Sequence, residues 1–100
     1  MIVRDRPLGL ARKARLRRDP RSGKTMLLYP ERGLELSDTA ARIAELCALG
    51  RTAQAIVDEL AAGQGADAEL RARIDAEVMA FLDALAARGL LRGPDEQGGA

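Results

Sequence analysis

The sequence predicts an α+β fold, a three-stranded antiparallel sheet followed by three helices in a winged helix-turn-helix-like arrangement. Two observations carry this expectation. Up to Leu36 apolar residues alternate or fall in one short run, as in strands, and after Ser37 they recur at steps of three and four, as in helices. All the strand patterns therefore precede all the helix patterns, an order that packs helices on one face of a small antiparallel sheet. The length of 100 residues fits a single domain with one modest core.

Residues 1–9 hold Pro7 and Gly9 and read as a loosely held lead-in. From Leu10 to Arg18 the chain alternates as a first strand. Leu10, Arg12, Ala14, Leu16 and Arg18 share one face; Ala11, Lys13, Arg15 and Arg17 share the other. Its apolar stripe is thin and its charge dense, as suits a sheet edge guarded against pairing. Asp19-Pro20-Arg21-Ser22-Gly23 is turn chemistry. Gly23-Lys24-Thr25 looks like the end of a phosphate-binding loop, yet Arg18 stands where that motif needs glycine, and a strand follows where it needs a helix. Thr25 to Tyr29 is a short apolar run, the middle strand. Pro30 ends it, because proline has no N–H for the ladder. Arg32-Gly33 turns the chain, and Leu34-Glu35-Leu36 alternates again with both leucines on one face.

Ser37 or Thr39 caps the first helix, which carries Ala40, Ile43, Leu46 and Cys47, with Asp38 at its positive end and Gly50 as its stop. Thr52 caps the second, with Ile56, Val57 and Leu60, ending near Gly63 and Gly65. Asp67 opens the third and longest. Its apolar positions Leu70, Ile74, Val78, Phe81, Leu82 and Leu85 recur at helical spacing until Gly89. Leu90-Leu91 folds back on the core. The domain is expected to span residues 1–92, with a disordered polar tail over 93–100.

Composition narrows the chemistry. There is no histidine, which removes Ser-His-Asp and Cys-His nucleophilic schemes and most transition-metal sites. Cys47 is the lone cysteine and falls in an apolar helical pattern, a small buried hydrophobe. The carboxylates sit where turns or exposed helix faces are expected, so no acid–base pair stands out. No enzyme, cofactor or metal is expected. No segment reads as a secretory signal or a membrane span, so a cytoplasmic protein is expected, a monomer or weak homodimer. The net charge of +1 hides an asymmetry: residues 1–24 hold nine Arg/Lys against two Asp, while residues 25–100 hold seven Arg against thirteen Asp/Glu. A basic leading segment implies an acidic partner, nucleic acid, a membrane surface, or a charge-guarded edge.

Strand logic locates a recognition surface. In a meander the middle strand is covered on both sides. The first strand is guarded by Arg and Lys; the third, Gly33 to Ser37, is short and less guarded. Its open backbone groups can accept another extended chain, the β-augmentation mode of peptide binding.

Leu27-Leu28-Tyr29-Pro30-Glu31, then Gly33, Leu34-Glu35-Leu36, Thr39-Ala40 and Ile43 resemble the PqqD family. Gly50-Arg51-Thr52, Ile56-Val57, Leu60, Phe81-Leu82, Leu85 and Gly89-Leu90 continue the resemblance, which covers roughly residues 7–91. The chain has Ser37 where the family often has asparagine, an equivalent cap. The family resembled here consists of non-catalytic peptide chaperones of pyrroloquinoline quinone biosynthesis. They bind the precursor peptide PqqA and associate with PqqE, a radical S-adenosylmethionine enzyme. The wider family recognises leader peptides of other modified-peptide pathways and takes them as an added strand beside a helix. By that resemblance the peptide-binding residues are Gly33, Leu34, Glu35, Leu36 and Ser37 on the strand, with Arg71, Arg73, Ile74, Asp75 and Val78 on the third helix. On a helical wheel Leu70, Ile74, Val78, Phe81 and Leu85 centre the apolar face. Arg71, Asp75 and Leu82 flank one side; Arg73, Glu77, Ala80 and Ala84 flank the other. The wheel leaves open which flank borders the groove. Arg71 and Arg73 suit an acidic peptide, since a guanidinium binds a carboxylate bidentately.

Two alternatives stand beside this reading: a recognition element of another modified-peptide pathway, and a small winged-helix DNA binder. Against the second, the second helix carries Asp58 and Glu59 with no Lys or Arg after Arg51, so phosphate would repel it. No nucleic-acid or membrane partner is expected.

Overall fold

The computed structural model describes residues 2–30 and 32–92; the disorder expected of residues 93–100 lies outside them, as does Glu31. Strands β1 (Arg15–Arg18), β2 (Thr25–Tyr29) and β3 (Arg32–Leu36) form one antiparallel sheet in the order β1-β2-β3. Helices α1 (Asp38–Ala48), α2 (Ala53–Gly63) and α3 (Ala68–Ala87) follow. The fold is the expected α+β arrangement, with α3 longest at 20 residues.

Local chemistry sets the boundaries. The β1–β2 turn closes with the Asp19 N–H on the Lys24 carbonyl at 2.8 Å, and the Asp19 carboxylate takes the Arg21 N–H at 2.9 Å. Gly23 there has φ of 73°, a conformation glycine adopts without cost. Each helix is capped by a side-chain oxygen accepting a backbone N–H: Ser37 from Ala40 at 3.1 Å, Thr52 from Ala55 at 3.0 Å, Asp67 from Leu70 at 2.8 Å. Between the two caps expected for α1, Ser37 is the one used.

Four expectations need correction. The lead-in is not loose: Leu8 N–H bonds the Arg51 carbonyl, Gln54 N–H bonds the Arg4 carbonyl, and Pro7 bridges Thr52. Ile2 and Leu8 pack on the helical core, so apolar contact holds the segment across the start of α2. The first strand is four residues, not nine. Ala11 N–H bonds the Leu90 carbonyl, Ala14 N–H turns back to the Ala11 carbonyl, and Leu10 bridges Leu91. Ala11 and Ala14 are both buried, which a single strand exposing one face cannot achieve at odd spacing. Arg32 begins β3 rather than a turn, pairing with Tyr29, and Gly33 lies on the strand as its edge assignment requires, pairing with Leu28. Ser37 lies just past β3 as the α1 cap. Finally, the buried stripe of α3 is Ile74, Val78, Leu82 and Leu85, while Leu70 and Phe81 are half-buried. Leu82 is central, not flanking, because α2 packs on that side of the helix.

The core has two lobes. One joins the sheet to α1 and the end of α3 through Leu27, Leu36, Ala44, Leu85 and Leu90; the other joins the three helices through Ile43, Leu46, Ile56, Val78 and Leu82. Phe81, Leu10 and Leu91 touch both. Full burial of such side chains stabilises by about 1.5–3 kcal/mol each. The expected return of Leu90-Leu91 to the core is present: Leu90 is wholly buried.

Cys47 is wholly buried in the helical lobe. Burial pushes its thiol up from 9.0 to about 11, with the charge of Arg92 pulling the other way. Native protein at pH 8 should therefore react with iodoacetamide only through unfolding, and denatured protein at once. The sign for stability follows: the unfolded thiol ionises first, so stability falls as pH rises from about 9 to about 11. Cys47→Ala should flatten that slope in urea melts across this range.

Candidate functional site

Hydrogen-bond alternation decides which backbone groups of the sheet are open. Asp19 and Lys24 form a bonded pair at the end of the β1–β2 ladder. Bonded and non-bonded pairs alternate in antiparallel sheets, so Arg17–Met26 and Arg15–Leu28 are bonded as well. Met26 and Leu28 thus direct their backbone groups to β1, and Thr25, Leu27 and Tyr29 direct theirs to β3. Their partners on β3 are Leu36, Leu34 and Arg32. Gly33 and Glu35 remain, with N–H and C=O facing the open side of β3. The Leu34 and Leu36 side chains turn into the core lobe beneath the sheet, Leu36 buried and Leu34 half-buried.

The Glu35 side chain pairs with Lys24 at 3.3 Å, both more than half exposed, a contact worth little to stability. Tyr29, at the end of β2, accepts a hydrogen bond from Arg88 just past α3 at 3.3 Å. This contact ties the C-terminal end of α3 to the sheet.

The two flanks of α3 differ. Arg71 binds Asp58 of α2. Asp75 takes two hydrogen bonds from the Arg4 guanidinium, each 2.7 Å. That bidentate bond holds the Asp75 carboxyl below its usual range and the Arg4 guanidinium above its own. This flank is thereby committed to α2 and the lead-in segment. On the opposite flank Arg73 and Glu77 rim a cavity of about 180 Å³ floored by Ile74 and Val78 and walled by Leu60, Leu70 and Thr39. Neither Arg73 nor Glu77 has a side-chain hydrogen bond or ion pair among the described residues. Thr39, in the first turn of α1, lies three residues past the end of β3.

The family model described as Coenzyme PQQ synthesis protein D (PqqD) matches residues 24–91, which include β2, β3 and all three helices. The chain belongs to the PqqD family. Among its relatives, the PqqA binding protein of Rhodopseudomonas palustris strain HaA2 is 43% identical over 86 residues, 86% of this chain and 80% of that one. The PqqA binding protein of Xanthomonas axonopodis pv. citri strain 306 is 38% identical over 91 residues, 91% of this chain and 96% of that one. Among solved structures, the solution structure of the PqqD truncation of Methylobacterium extorquens PqqCD superposes with a TM-score of 0.73 at 32% identity, covering 93% of this chain and 96% of that one. That protein is described as a functional, stand-alone recognition element for ribosomally synthesised and post-translationally modified peptides.

In this PqqD-family chain the candidate residues fall into three places. Gly33 to Leu36 lie on the edge strand, with Ser37 at its end as a cap. Arg73, Ile74 and Val78 meet at the cavity. Arg71 and Asp75 stand on the far flank in ion pairs. Sequence reasoning did not single out Thr39, Leu60, Leu70 and Glu77 as cavity residues. The four-residue spacing of Leu70, Ile74 and Val78, and of Arg73 and Glu77, is the signal that groups them on one side of α3.

Proposed function

We propose that this chain is a non-catalytic peptide chaperone of pyrroloquinoline quinone biosynthesis. It takes the precursor peptide PqqA as an added strand along β3 and presents it to the radical enzyme PqqE. The observation that carries this is the open edge of β3, where Gly33 and Glu35 offer main-chain donors and acceptors to an extended partner. The names and description borne by the relatives support a peptide ligand. In this reading main-chain bonds supply generic affinity. The cavity beside Thr39 receives a side chain of the peptide, and Arg73 pairs with one of its carboxylates. Arg71 and Asp75 then act indirectly, by fixing the position of α3. The setting is cytoplasmic, with the chain a monomer or weak homodimer; no described helix is long and apolar enough to cross a membrane.

Calorimetry with a PqqA-like peptide, run beside a gel shift with mixed-sequence duplex DNA, tests the reading. Peptide binding without duplex binding is expected. Salt-sensitive duplex binding with no peptide binding would favour a winged-helix DNA binder instead. Binding of a leader peptide from another pathway in preference to PqqA would move the chain to that pathway. In the peptide complex, amide shifts should concentrate on Gly33 to Ser37 and Arg73 to Val78; shifts confined to Lys13 to Arg18 would place the ligand on the other sheet edge.

A further inference from the structure

The sheet has a second face that no helix covers. Strand alternation turns Leu16, Leu27 and Leu34 toward the helices and Arg15, Arg17, Met26, Leu28, Gly33 and Glu35 away from them. Met26 and Leu28 accordingly join neither lobe of the core, yet both are half-buried. They lie at a depression of about 230 Å³ shared with Arg17, Asp19 and Pro20. The apolar surface runs on across β3, because Gly33 has no side chain. A Cβ there would stand 3.2 Å from a Leu28 methyl and 3.4 Å from the Met26 methyl, so these two side chains lean over the glycine.

The rim is basic. Arg15 and Arg17, opposite Leu28 and Met26 on this face, have no side-chain hydrogen bond or ion pair among the described residues. Of the nearby carboxylates, Glu35 is paired with Lys24, and Asp19, turned to the Arg21 N–H, leaves Arg15 and Arg17 in excess. An apolar centre containing methionine within an arginine rim is the anatomy of a protein interface. It suits nucleic acid poorly, since phosphates laid over Met26 and Leu28 would lose water without a partner. It suits a second copy of this face poorly too, because two arginine rims repel.

We propose that this outward face is a second docking surface, which seats an apolar side chain projecting from an acidic segment of a partner protein. The apolar side chain enters between Met26 and Leu28, and carboxylates on either side meet Arg15 and Arg17. The depression itself is lined from β1, the β1–β2 turn and β2, and its ligand lies over a sheet face while the β3 edge offers backbone groups in the plane of the sheet, so an extended ligand and this partner can be held at once.

The test uses the full chain with labelled methionine and leucine methyl groups. Three probes are titrated at low salt: a 12-residue acidic peptide with one central leucine, the same peptide with serine at that position, and a 12-base-pair duplex. The leucine peptide should shift the Met26 and Leu28 methyl signals. The serine peptide should bind roughly fivefold more weakly. Arg15→Gln with Arg17→Gln should weaken the leucine peptide roughly tenfold at low salt and less at high salt. Unmoved Met26 and Leu28 methyls would overturn the proposal. So would equal binding of the serine peptide, which makes the face a mere charge patch, or stronger binding of the duplex at the same methyls. The variants lie on solvent-facing positions of β1, and Arg15→Lys with Arg17→Lys, which keeps the charge, should bind nearly as the parent does.

Discussion

Replacing Glu35 with proline should weaken precursor-peptide binding by about ten- to a hundredfold while leaving the sheet folded. The Glu35 N–H faces the open side of β3, so proline removes a donor meant for a ligand strand rather than a bond of the ladder to β2. Its absence leaves a carbonyl of the bound peptide without a partner, a loss of about 1–3 kcal/mol. Leu34 precedes the new proline and already has the extended conformation proline demands of its neighbour. The lost Lys24 contact is exposed and counts for little. Leu34→Pro is the contrasting variant. Leu34 bonds to Leu27 in the ladder and turns its side chain into the core, so that change should disrupt the sheet itself. Circular dichroism with calorimetry reads both. Undiminished peptide affinity in folded Glu35→Pro would mean that the ligand does not add to β3.

The largest stability effect on α3 is expected from Leu82. Truncation to alanine should cost about 3–5 kcal/mol, as for a wholly buried leucine whose site cannot collapse. Leu70→Ala, the same chemical change on the same helix, should cost less than about 2 kcal/mol, since Leu70 is only half-buried, in the wall of a cavity. Against a total stability of about 5–15 kcal/mol, the first change consumes much of the margin and the second does not. Urea melts of the two variants would show it in their midpoints. A helical wheel alone orders them the other way, with Leu70 central and Leu82 flanking, so equal or reversed costs would restore the wheel.

What local sequence determines here is the kind and order of the elements. The change of apolar period at Ser37, the caps Ser37, Thr52 and Asp67, and Gly89 beyond α3 act over a few residues. Their physics is therefore complete within the sequence window that contains them. The edge status of β3 was legible as well, because three strands joined by short turns leave their first and last members uncovered. Tertiary packing decided the rest. Leu10 and Ala11 leave the strand because their partners, Leu91 and Leu90, lie near the other end of the chain, and no local pattern announces that pairing. Leu82 and Phe81 are adjacent apolar residues, and only the seat of α2 against α3 selects which is buried. Arg71 and Arg73 are equivalent as sequence. The reach of Asp58 and the Arg4–Asp75 pair tie one flank down and leave Arg73 beside the cavity, because an ion pair forms only where folding brings its two charges within bonding distance.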